Sequence, residues 1–153
     1  MRGQIQCSMA RRTLTVETKK RREIINLDRL IQEFVKENQV REGILFTRTL
    51  HTTSAIIINE FEPGLMTDIE SFLNKVVPEI GYYHHDDPRI HPLSDKDERK
   101  NGFAHLQAIL LGPGGSVSVS GGQLVLGPWQ SVLFVELDGP RAKRQIELTA
   151  WGT

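Results

Sequence analysis

The chain has 153 residues, with nineteen basic against nineteen acidic side chains, 39% hydrophobic and 25% charged. This is the size and mix of one globular domain, and it excludes the low-hydrophobicity, high-charge composition of disordered chains. A formal charge of zero supplies no global field to gather nucleic acid or anionic lipid, so neither partner is expected.

Met1 to Ser8 show no periodicity, so residues 1–12 are expected to form a flexible tail ahead of a single domain at 13–153, with Met9 a candidate start. Arg2, Arg11 and Arg12 are not followed by an unbroken apolar stretch of signal-peptide or membrane-spanning length. With the single cysteine, Cys7, unable to form an internal disulfide, this leads to an expected cytoplasmic location and no membrane.

Arg12 to Lys20 alternates, with Leu14 and Val16 between threonines and charges, and predicts a first strand. Leu27, Leu30, Ile31 and Phe34 recur at helical spacing, so Leu27 to Asn38 is a predicted amphipathic helix, capped by Asn26 or Asp28 and stopped by Gly43. Gly43 to His51 and Ala55 to Ile58 return to β character and meet at His51-Thr52-Thr53-Ser54. After Pro63-Gly64, the residues Leu65, Ile69, Phe72, Leu73 and Val76 predict a second helix that ends before Pro78.

Gly81 to Arg99 lacks a core-facing period and reads as a long functional loop, carrying His84, His85 and His91. A short helix is predicted near Phe103 to Leu111. Beyond it, glycine and proline pairs punctuate Val117 to Val119, Leu124 to Leu126, Val132 to Leu137 and Ile146 to Trp151 as strands. Strands grouped after helices predict an α+β fold with an antiparallel sheet or sandwich.

Four histidines, His51, His84, His85 and His105, sit beside turns or at the edges of apolar segments. Imidazoles from separate segments can converge on a metal and leave a position open for water or substrate, although core-edge hydrogen bonding accounts for the same placement. Asn59, Glu60 and Glu62 follow an apolar strand, where an acid serves as general base, supporting partner or helix cap. Ser54 lacks the surroundings of a nucleophile elbow. The run Gly112-Pro113-Gly114-Gly115-Ser116 fits either hairpin turns or a phosphate-cradling nest. Arg141, Lys143 and Arg144 offer donors for an anion, or else form a solvated turn. Trp129 is read as a core side chain or as a lid over a flat ring.

Taken in order, His51-Thr-Thr-Ser-Ala, Asn59-Glu60, Tyr83-His84-His85-Asp86, Ala104-His105-Leu106, Leu126-Gly-Pro-Trp-Gln130 and Glu136-Leu-Asp-Gly-Pro-Arg141 resemble the YjbQ-like family, nearly everywhere from Thr13 onward. The family is also named for a secondary thiamine-phosphate synthase activity. The resemblance implies an α+β antiparallel β-sandwich with two or three helices, assembled as a homotrimer. It carries the family's histidine cluster onto His51, His85 and His105, with His84 and His85 not separable, as ligands of a divalent metal, zinc or magnesium. Around Gly102 and Phe103 the chain departs from a family pattern of a small residue followed by an acid. Gly114 stands where serine is common, and Ser118 where proline is common.

The expected function is therefore that of a metal-assisted enzyme or metal-dependent binder of a small phosphorylated or heteroaromatic molecule, with thiamine-phosphate synthase (transferase) chemistry as one form. In it Glu60 and Asn59 act near the metal and Arg141 or Arg144 orients the anionic substrate. The alternative is a non-catalytic ligand-binding or scaffold homotrimer whose histidines are structural.

Overall fold

A computed structural model describes residues 7–90 and 99–153. Eight strands and three α-helices appear there in the order β1 (Ser8–Thr18), β2 (Glu23–Asn26), α1 (Asp28–Glu37), β3 (Gly43–Thr49), β4 (Ser54–Asn59), α2 (Pro63–Val76), α3 (Gly102–Leu111), β5 (Gly114–Ser120), β6 (Gln123–Leu124), β7 (Ser131–Glu136) and β8 (Arg141–Gly152). A single 3₁₀ turn, His84–Asp86, precedes α3.

Two antiparallel sheets form, one ordered β1-β8-β3-β5-β6 and the other β2-β7-β4. The α+β antiparallel sandwich read from the sequence is the fold observed. Alternation in β3 and β5 buries Leu45, Val117 and Val119 on the inner face of the large sheet. They meet Ile56, Val132 and Phe134 from the small sheet, and Ile31, Phe34 and Val35 of α1 close the cluster. The small sheet is buried on both sides. Its other face carries Ala55, Val135 and Leu137 against Leu73 of α2 and Phe103, Ala104 and Ala108 of α3. Double-sided burial is why β7 reads as a near-continuous apolar run, and each large side chain so buried contributes on the order of 1.5–3 kcal/mol.

Several boundaries differ from the sequence reading. The first strand begins at Ser8, because Ser8 to Arg12 pair with Leu148 to Gly152 of β8, so this part of the expected tail belongs to the sheet. Residues 1–6 lie outside the described residues, as do 91–98 of the long loop, including His91. Strand β2 was not expected: four residues are too short for a period to show, and β7 holds them in register. Leu27, at the N-cap position of α1, offers no side-chain acceptor, and Asn26 Oδ1 instead accepts from the N–H of Asp28, the first helical residue, at 2.8 Å. The helix ends at Glu37, short of the expected stop at Gly43, and the chain turns at Gln39, which takes a positive φ of 54°.

Candidate functional site

The connection between β3 and β4 is His51-Thr52-Thr53-Ser54, and long-range polar contacts hold it in place. Thr49 and Ser54 share a hydroxyl hydrogen bond of 2.6 Å across the turn. From β8, the carbonyl of Gln145 accepts from Leu50 N–H at 3.0 Å. The N–H of the same residue donates to Nε2 of His51 at 2.7 Å, so the imidazole prolongs the β3–β8 ladder past its last backbone pair, Thr49 with Ile146. Burial lowers the His51 pKa from its ordinary value, the guanidiniums of Arg144 and Arg141 lower it further, and Glu136 pulls the other way.

Behind the turn lies a buried charge network. Arg144 is bidentate on Glu136, at 2.7 Å through Nε and 2.5 Å through Nη2, and also donates to Thr53 Oγ1 at 3.0 Å. Glu136 further accepts from the Thr18 hydroxyl and from the backbone N–H groups of Leu137 and Asp138. The carboxylate of Asp138, fully buried, accepts from Arg21, Asn101 and Arg141. Arg141 is thus oriented by Asp138 while keeping part of its side chain in solvent. Arg144 is not poised as an anion clamp, because both of its bonded nitrogens are committed inside the protein.

His105 projects from α3 and lines one cleft of ≈ 440 Å³ together with Thr49, Leu50, His51, Thr52, Ser54, Ala108, Ile109 and Pro113. Two of the three expected histidines therefore share a cavity. The third, His85, stands edge-to-face with His105, ring centroids 4.6 Å apart at 67°. Asp86 brings this about by accepting from the N–H groups of Asn101 and Gly102, each at 3.0 Å, which docks the 3₁₀ turn on the start of α3. Glycine is needed at 102, where a Cβ would come within 2.6 Å of Tyr83 Cβ. His84 stands edge-to-face with Tyr82 at a ring distance of 5.1 Å.

These residues do not fit a three-histidine metal centre as they stand. The lone pair of His51 Nε2 is committed to Gln145 N–H, and among the described residues no group of three His, Cys, Asp or Glu side chains is placed to hold a metal ion.

Asn59 falls at the opposite end of β4, roughly 17 Å from Ser54 at the usual rise per residue, with Glu60 just beyond it. Asn59 Oδ1 accepts from Glu60 N–H locally, and Glu62 caps α2 by accepting from Gly64 and Leu65 N–H at 2.7 Å each. The capping role is the one observed for Glu62. The glycine-rich run is a connection as well as a cleft wall: Pro113 O accepts from Thr49 N–H, and a Cβ on Gly114 would meet Thr47 O at 2.2 Å, which accounts for glycine in place of serine. Trp129 is 72% exposed and so is not a core side chain. Sequence reasoning missed Glu136 and Asp138. The run Glu136-Leu-Asp-Gly-Pro-Arg141 was the available signal, since two acids in an apolar strand end need buried partners.

No helix among the described residues is long and apolar enough to cross a membrane. A UPF0047 protein of Archaeoglobus fulgidus is 43% identical over 133 residues, 87% of this chain and 95% of that one. One from Methanothermobacter thermautotrophicus is 39% identical over 131 residues, 86% of this chain and 85% of that one. Among solved structures, a YbjQ-like protein from Sulfolobus solfataricus superposes with a TM-score of 0.85 at 30% identity, covering 97% of this chain and 100% of that one. The sequence profile described as UPF0047 protein YjbQ-like matches residues 12–153, and the chain belongs to that family.

Proposed function

We propose that this protein binds a small phosphorylated or heteroaromatic molecule in the cleft between the His51–Ser54 turn, α3 and the Gly112-Pro113 connection. The observation that carries the reading is the convergence of His51 and His105, from distant segments, on one cavity. Its volume lies in the range of small-molecule sites. Leu50, Ala108, Ile109 and Pro113 supply apolar walls for a flat ring. Thr49, Thr52, Ser54 and the two imidazoles supply polar groups.

Transfer chemistry of the thiamine-phosphate synthase type requires a leaving diphosphate to be stabilised by cations. Among the described residues the cleft lining holds no lysine or arginine, which supports binding or slow transfer over fast turnover. Titration calorimetry with thiamine phosphate and with pyrophosphate tests this. His105→Ala should weaken binding by about tenfold or more, for one lost hydrogen bond to a charged group. Equal affinity in the variant and the parent would remove the cleft from the account.

A metal-assisted version, with zinc or magnesium, is supported by the close His85–His105 pair alone. It requires His51 to release Gln145, and metal analysis of the protein before and after chelation tests it.

The homotrimer is supported by surface patterning. Met9, Trp151 and Ile44 form one cross-strand row on the outer face of the large sheet, each at least 46% exposed, and Leu106, Ile109 and Leu110 leave a second apolar face on α3. Contiguous apolar surface of this kind favours burial between subunits. Light scattering that shows only monomer would remove the trimer. We place the protein in the cytoplasm, where the exposed Cys7 thiol stays reduced.

A further inference from the structure

We infer that His51 is locked by the backbone of Gln145 as a neutral Nδ1–H donor, so that the cleft selects a ligand presenting an oxyanion, and His51 acts neither as metal ligand nor as general base. The inference rests on the cleft being the binding site and deepens that reading.

The argument is one of lone pairs. A backbone N–H can only donate, so the 2.7 Å contact from Gln145 N requires an unprotonated Nε2 on His51. A neutral imidazole carries one proton, which must then sit on Nδ1. Metal binding through Nδ1 would move that proton to Nε2, where it would face the Gln145 N–H. Metal binding through Nε2 would break the contact and leave a ladder donor without an acceptor. General-base action has the same obstacle, since the only basic nitrogen is turned toward β8.

What remains for the cleft is a fixed N–H. Among the described residues nothing accepts from Nδ1, and His51 lines the cavity beside the hydroxyls of Thr52 and Ser54. The side chain is well anchored, because the same Gln145 holds Leu50 through its carbonyl. The class of ligand follows from the donor. A fixed N–H beside hydroxyls pairs most strongly with a charged acceptor, so the cleft selects anionic oxygen, from a phosphate ester or a carboxylate.

The test is nitrogen NMR on protein labelled at its five histidines, with the His51 signals assigned from their loss in His51→Gln. At neutral pH the parent protein should show His51 protonated at Nδ1 and bare at Nε2, and added zinc should leave both signals in place. The Nε2–H tautomer, an imidazolium, or a zinc-dependent change at His51 Nε2 would overturn the inference. Inorganic phosphate and acetate are then titrated separately. A shift of the Nδ1 proton with phosphate alone assigns a phosphate group, and a shift with acetate alone assigns a carboxylate. The Nδ1–H tautomer without response to either anion contradicts the cleft as the binding site and the oxyanion selection with it, while the lock by Gln145 stands.

Discussion

Both ends of β4 carry polar side chains, but the two are built in different ways. At the Asn59 end, the polar groups are satisfied locally: Asn59 by the next residue, and Glu62 by the two N–H groups that open α2. At the Ser54 end, His51, Thr53 and Ser54 take partners from β3 and from β8, more than ninety positions away in two cases. Local satisfaction makes a cap or a turn, and it fixes nothing beyond its own few residues. Long-range satisfaction fixes a histidine relative to a second helix and a buried charge network, which is what a binding site needs.

Changes at the Ser54 end should therefore be costly, the largest being at Arg144. Arg144→Ala leaves Glu136 buried without its bidentate partner, and unpairing a buried ion pair costs about 3–5 kcal/mol. Urea titration should show most of the protein's stability gone; a change under about 1 kcal/mol would mean the network does not anchor the turn. Next comes binding. His105→Ala should lower affinity for pyrophosphate about tenfold, whereas Glu60→Gln at the far end should leave it unaltered. A larger loss from Glu60→Gln would reverse the assignment of the two ends.

The two ends should also respond differently to pH. The folded-state pKa of His51 is depressed, so its contribution to stability is present above its ordinary value near 6.5 and is lost as pH falls through the folded value. Glu62 is also depressed, by its hydrogen bonds from Gly64 and Leu65, so its contribution is present above 4.5 and is lost at lower pH still. Thermal melts from pH 7 downward should thus lose a first step in His51→Gln and keep it in Glu62→Gln. Smallest of all, Asn59→Ala should change stability by under about 0.5 kcal/mol, since the side chain is exposed and bonded only to its neighbour.

Much of this difference was hidden in the sequence. Periodicity placed α1, α2 and the long strands, because each buries one regular face. It missed β2, whose four residues acquire meaning only against β7, and it started β1 too late, because Ser8 to Arg12 gain their place by pairing with the last strand. For the site, the histidines were visible as residue types beside turns, and two of them meet in the cleft. The donor to His51 is a main-chain N–H, which has no residue signature at all. Glu60 and Arg141 illustrate the same limit from the other side: proximity in sequence to an apolar strand or a tight turn does not say which end of the strand faces the cavity, or that Asp138 holds the guanidinium.

A crystal grown with thiamine phosphate bound tests the cleft most directly. The account predicts the ligand between His51 and His105, with an anionic oxygen facing Nδ1 of His51 and the contact from Gln145 N–H to Nε2 intact. A ligand seated instead against Asn59 and Glu60, or His51 turned away from Gln145, would contradict it.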